Sequence, residues 1–196
     1  MTSGPIERAL RAVTAALAIV SGAAVLLLAF GICFDIVSRR FLGFSVQGTD
    51  EYGGYVLAMI GSVGLPYALL QRGHTRVDIL MPYLPRPVLT ALNVVALVTL
   101  LGYAAMIAWY SYAAFAETIE FDSRANSALQ TPLWIPQAIW VVGTWSFLVV
   151  VAWAVLDALS RLADPDELNR RYGPLTAVQE VTELSQELAA DRDARR

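Results

Sequence analysis

Residues 12–34 read AVTAALAIVSGAAVLLLAFGICF, 23 positions between Arg11 and Asp35 without an Asp, Glu, Lys or Arg. A helix rises about 1.5 Å per residue and the hydrocarbon core of a bilayer is roughly 30 Å thick, so about 20 such residues suffice to cross it. The reading repeats three times: 20 uncharged residues separate Glu51 from Arg72, 30 separate Arg86 from Glu117, and 32 separate Arg124 from Asp157. The expected fold class is an all-α integral membrane protein with four transmembrane helices, about 13–37, 52–70, 87–115 and 132–156. Arg8 and Arg11 before the first run imitate a secretory signal. That run, however, exceeds the roughly 7–15 apolar residues of a signal's hydrophobic region, so it is read as an uncleaved span.

Composition points the same way. The chain is 57% hydrophobic and 16% charged, with a mean hydropathy of +0.54. Residues 157–196 hold 15 charged side chains and residues 1–156 hold 16. The expected organisation is a four-helix transmembrane domain, 1–156, followed by a short polar cytoplasmic tail, 157–196, with helical character. A net charge of −3 supplies no basic surface for nucleic acid. Cys33 is the single cysteine, so no intrachain disulfide forms.

Arginine placement sets an orientation. Arg8, Arg11, Arg72, Arg76, Arg86, Arg161, Arg170 and Arg171 share one side of a four-span chain, against Arg39, Arg40 and Arg124 on the other. Basic residues stay cytoplasmic, so both termini are expected inside.

Within the second span, Gly61-Ser62-Val63-Gly64 offers small residues for close helix approach, and Pro66 is expected to bend or loosen the helix. Trp109, Tyr110, Tyr112 and Phe115 gather toward the end of the third span, as an interfacial aromatic belt does. In the first loop, Phe41, Leu42, Phe44 and Val46 fit either a brief amphipathic element in the headgroups or an ordinary turn.

The interiors of the spans carry no ionisable group of the kind that marks ion pathways; Asp35, near the end of the first, comes nearest. His74 is the only histidine and lies in a loop, which excludes a bis-histidine haem. No His/Cys/Asp/Glu cluster has metal-ligand spacing, and no nucleophile–base set or phosphate loop is present. The chain reads as a subunit, not an enzyme, with no catalytic, cofactor or metal residue. These absences argue against a four-span membrane enzyme or electron carrier. A non-transport membrane anchor or assembly protein stays open on the residues alone.

The most distinctive local stretch is Leu70-Gln71-Arg72-Gly73-His74-Thr75-Arg76-Val77-Asp78, a charged collar after the second span. With it stand Arg39-Arg40-Phe41 after the first span, Asp50-Glu51 opening the second, and Thr131-Pro132-Leu133-Trp134-Ile135-Pro136 opening the fourth. Together these resemble the small membrane subunit (DctQ-like) of tripartite ATP-independent periplasmic (TRAP) transporters, over about residues 11–156. The collar is similar to that family's Gly-His-x-x-Val-Asp signature. Gly48 departs from the pattern, since the family commonly has Trp two residues before the acidic pair.

The resemblance implies a secondary transporter subunit in the bacterial inner membrane that scaffolds a large multi-span permease. A periplasmic solute-binding protein delivers an organic acid or similar solute. No cofactor is implied for this chain, and sodium coupling resides in the large subunit. Arg39, Arg40, Asp50, Glu51, Gly73, His74, Arg76, Asp78, Pro132 and Pro136 become the family-motif and interface candidates.

In the tail, Asp164-Pro165-Asp166-Glu167 reads as a break followed by a helix start. Leu175, Val178, Val181, Leu184 and Leu188 then recur along one helical stripe.

Overall fold

The computed structural model describes residues 5–45, 48–71, 85–127, 129–162 and 164–172. The chain forms five helices there: α1 Pro5–Phe41, α2 Thr49–Leu70, α3 Arg86–Glu120, α4 Trp134–Ser160 and α5 Pro165–Tyr172. The first four are each long and apolar enough to cross a membrane, so the expected all-α, four-helix class is the one observed. At 37 residues α1 is about 55 Å long, well beyond the hydrocarbon thickness. Two compact units divide the chain, Met1–His74 with Thr99–Ala154 and Thr75–Val98 with Val155–Arg196.

In the first unit α1 packs against α2 with its polar side chains inward. Glu7, Thr14, Ser21 and Asp35 lie at multiples of seven residues and are all buried, as is Ser38. Leu26, Leu27, Phe30 and Phe34 face outward. Lipid tails are as apolar as leucine, so burying leucine gains little in a bilayer. Small and hydrogen-bonding residues let helix backbones approach instead. The buried hydroxyls do not go unsatisfied: Thr14 Oγ1 donates to the Leu10 carbonyl at 2.8 Å and Ser21 Oγ to that of Leu17 at 2.9 Å.

The helices α2, α3 and α4 close on small residues. A Cβ on Gly143 of α4 would sit 2.5 Å from Ser62 Oγ and 2.8 Å from the Ser62 carbonyl carbon, so the α2 backbone lies directly over that glycine. Between α3 and α4, the Ser111 and Thr144 hydroxyls share a buried 2.8 Å hydrogen bond, beside buried Ala104, Ala108 and Phe147. The close approach is therefore not at Gly61 or Gly64, where a Cβ would meet nothing within 4 Å. The intervening Ser62 makes it. α2 runs on through the buried Pro66 to Leu70.

The connections of this unit obey local backbone chemistry. α1 ends at Phe41 and the chain turns through Gly43 at φ 72°, with Phe41, Leu42 and Phe44 exposed; residues 42–45 are not helical, and Val46 lies outside the described residues. α3 ends in a Schellman arrangement. Asp122 takes a left-handed φ of 43° while the Ser123 and Asp122 amides donate back to the Thr118 and Ile119 carbonyls.

In the second unit, Pro165 opens α5 and Asp164 caps it, its Oδ1 accepting the Glu167 amide at 3.1 Å. The break and helix start read from the tail are thus as expected. Leu168 is completely buried, and Asn169 donates to Thr90 Oγ1 at 2.9 Å and accepts from buried Asn93 at 3.0 Å. These bonds hold α5 against the start of α3. The apolar stripe from Leu175 to Leu188 lies outside the described residues.

Gly143→Ala should destabilise the protein by about 1–3 kcal/mol, because the added methyl presses on α2 backbone as well as on the Ser62 side chain. Gly61→Ala and Gly64→Ala should be neutral or mildly stabilising. Unfolding in mixed micelles by denaturing detergent separates the two outcomes.

Candidate functional site

Three polar clusters join separate segments of the chain through ionisable side chains. The first terminates α1. Asp35 is buried, and its Oδ2 accepts Arg39 Nη2 at 2.5 Å one helical turn on. Ser45, beyond the turn, donates its hydroxyl to Asp35 Oδ1 at 2.9 Å and accepts Arg39 Nη2 at 3.1 Å. Arg39 is about two-thirds exposed while Asp35 is enclosed. The pair therefore presents its cation outward and keeps its carboxylate satisfied by two donors. A cleft between the end of α1 and the first residue of α2 is lined by Ile32, Asp35, Ile36, Arg39, Arg40 and Thr49.

The second cluster ties the start of α2 to the loop before α4. Tyr55 donates its hydroxyl to Glu51 Oε1 at 2.5 Å, and Ser127 donates to Oε2. Gly48, preceding α2 at φ 87°, faces Leu129 of the same loop; a Cβ there would sit 2.0 Å from Leu129 Cδ1. Any side chain at position 48 would need both a left-handed backbone and displacement of the Leu129 side chain. The residue that departs from the family pattern is thus the one against which the loop packs. Across the loop, Arg124 and Pro132 form an isolated antiparallel bridge, with the Ala125 amide on the Thr131 carbonyl at 2.9 Å and that of Leu133 on Ser123 at 3.1 Å. Pro132 directs the chain out of this bridge. Pro136 occupies the first turn of α4, where a missing N–H leaves no helical bond unmade.

The third cluster, in the second unit, centres on Asp157 near the end of α4. Its carboxylate accepts Arg161 Nε at 3.0 Å and Nη2 at 3.2 Å, Arg171 Nε at 3.0 Å, and the Tyr172 hydroxyl at 2.8 Å. Arg161 also bonds Glu167. Burial, and then donation to Asp157, push the Tyr172 hydroxyl well above the ordinary phenol range. The Arg161 guanidinium is likewise held charged, chiefly by its hydrogen bond to Asp157.

Of the residues singled out from sequence, Arg39 and Glu51 enter these networks, Arg40 lines the cleft, and Pro132 and Pro136 shape the entry to α4. Gly73, His74, Arg76 and Asp78 lie outside the described residues, as does the side chain of Asp50. Sequence reading missed Asp35 as a partner of Arg39 and Asp157 as a partner of Arg161. Both pairs carry a signal, an acid four residues before a base on a helix. The Glu51–Ser127 and Asn93–Asn169 contacts each span 76 residues and carry none. Among the described residues no group of three His, Cys, Asp or Glu side chains could hold a metal ion.

These features define a polytopic helical membrane protein in which several described charges, Asp35, Glu51 and Asp157 among them, join its own segments. The family model for the DctQ component of tripartite ATP-independent periplasmic transporters matches residues 28–163, and the chain belongs to that family. It is therefore a component of a TRAP transporter, in a family of transporter components rather than enzymes. No curated protein and no solved structure matches the chain.

Arg39→Gln should cost about 1–3 kcal/mol, since the enclosed Asp35 would lose its cation. The double variant Asp35→Asn/Arg39→Gln should be more stable than Arg39→Gln alone, because no carboxylate is then left enclosed without its cation. Equal unfolding midpoints for the two would contradict the pairing.

The raised Tyr172 value sets a pH dependence. An unfolded phenol ionises near its usual value of about 10, whereas the folded one keeps its proton. The unfolded state then binds fewer protons, so this contribution is complete below pH ~10 and is lost as pH rises above it. Tyrosinate absorbance should show one fewer high-pH step in Tyr172→Phe, and the variant's stability should fall less steeply above pH ~10 than the wild type's. Parallel stability curves would show that Tyr172 is not so held.

Proposed function

We propose that this chain is the small membrane subunit of its TRAP transporter and scaffolds a large multi-span permease in the bacterial inner membrane. The observation that carries the reading is the use of the charges in a chain that belongs to the DctQ family. Asp35, Glu51 and Asp157 each bind donors of the chain itself, while apolar surface such as Ile19, Leu27 and Phe30 faces outward along α1. Such a chain supplies a wall, and the coupling-ion and solute sites belong to the large subunit. A periplasmic binding protein delivers an organic acid or similar solute to that subunit. Sodium coupling is assigned to the permease, and no cofactor or catalytic activity is assigned to this chain.

Both termini are proposed to be cytoplasmic, from the arginine distribution. The collar of Gly73, His74, Arg76 and Asp78 then lies at the cytoplasmic surface, and the Asp35 and Glu51 clusters on the periplasmic side. The collar is proposed to help set the junction with the permease.

The expected result is co-purification with a large permease in mild detergent and loss of solute uptake when the gene is deleted. Recovery only as a single species, with uptake intact in the deletion strain, would overturn the scaffold reading. In spheroplasts, cysteines at Ser45 and Ser123 should react with an impermeant maleimide and one at Ser185 should not; the reverse pattern would invert the topology.

A further inference from the structure

The second of the two consecutive arginines after the first span is not accounted for by contacts among the described residues. Arg39 is committed to Asp35 and Ser45. Arg40 lines the same cleft and makes no hydrogen bond or ion pair among the described residues. The lining changes character along α1: exposed Ile32 and Ile36 come first, Arg39 and Arg40 follow toward the helix end, and Thr49 of α2 also lines the cleft. From Ile32 to Arg40 the helix advances about 12 Å, from hydrocarbon depth to headgroup depth on an apolar helix that ends at Phe41.

We propose that this cleft is a binding site for an anionic phospholipid. One acyl chain lies along Ile32 and Ile36, and the headgroup phosphate is held by Arg40 beside Thr49. Three features of the site select that occupant. Among the described residues the cleft carries two guanidiniums against one carboxylate, a net positive charge that suits a phosphate monoanion. A planar guanidinium binds phosphate oxygens through paired N–H donors, the geometry for which arginine is preferred over lysine. The apolar lining gives nothing to a soluble anion but matches an acyl chain. The assignment rests on this cleft alone and does not depend on a permease partner.

The test uses the full-length chain, purified in neutral detergent and titrated with short-chain phosphatidylglycerol or phosphatidylcholine under native mass spectrometry. Phosphatidylglycerol should bind in one saturable step at least about tenfold more tightly than phosphatidylcholine, and 10-fold excess inorganic phosphate over the lipid should not displace it. Arg40→Gln should lower phosphatidylglycerol affinity about tenfold or more, whereas Arg124→Gln, which removes an exposed arginine far along the chain, should leave it unchanged. Ile36→Trp, which fills the apolar part of the cleft, should abolish the saturable step by a route independent of charge. Displacement by phosphate would make this a soluble-anion site and overturn the proposal. Equal losses in the Arg40 and Arg124 variants would reduce it to general attraction of anionic lipid. Unchanged binding in either Arg40→Gln or Ile36→Trp, with the variant folded by circular dichroism, would also overturn it.

Discussion

Inside a bilayer a leucine gains almost nothing by exchanging lipid for protein, and the packing of this chain depends on that constraint. Helices must be joined by whatever lipid cannot supply, namely backbone proximity and hydrogen bonds. Hence the buried stripe of α1 is Glu7, Thr14, Ser21, Asp35 and Ser38, with leucines and phenylalanines outside. Hence also α2 and α4 meet where Ser62 lies on Gly143, and α3 and α4 share a hydroxyl pair. A water-soluble helical protein would show the opposite polarity across α1.

The same constraint explains where the charges sit. An ionised group near hydrocarbon is costly unless it is paired, and three of the described carboxylates near the ends of spanning helices have donors placed around them. Asp35 takes Arg39 and Ser45 at one end of α1, Glu51 takes Tyr55 and Ser127 at the start of α2, and Asp157 takes two arginines and a tyrosine at the end of α4. Each cluster also joins separate segments: the turn after α1, the loop before α4, and α5. Charge satisfaction and chain connection are accomplished by the same side chains.

Much of this was legible in the primary structure. Uncharged run length specified four spanning helices, since a bilayer imposes a length that few other environments require. The Asp164-Pro165 pair marked the start of α5 through local capping chemistry, which acts within one turn. The short motifs around Arg39, Glu51 and Pro132 pointed to the family that the model match establishes. Helix partners were less legible. The glycines of Gly61-Ser62-Val63-Gly64 signalled closeness, yet the serine between them makes the contact, because rotation of a helix about its own axis is not encoded in a small-residue spacing.

What sequence determined by itself, then, is what local length, charge and capping control: the number of spans, their approximate ends, and the break before α5. The tertiary structure alone decided which side chains meet across distant segments. Glu51 and Ser127, or Asn93 and Asn169, lie 76 residues apart, and their pairing follows from how the helices rotate and cross once packed. Gly48 shows the difference most clearly. In sequence it is a missing tryptophan; in three dimensions it is the surface on which Leu129 rests. No periodicity or composition encodes that role, because it exists only when the two loops are brought together.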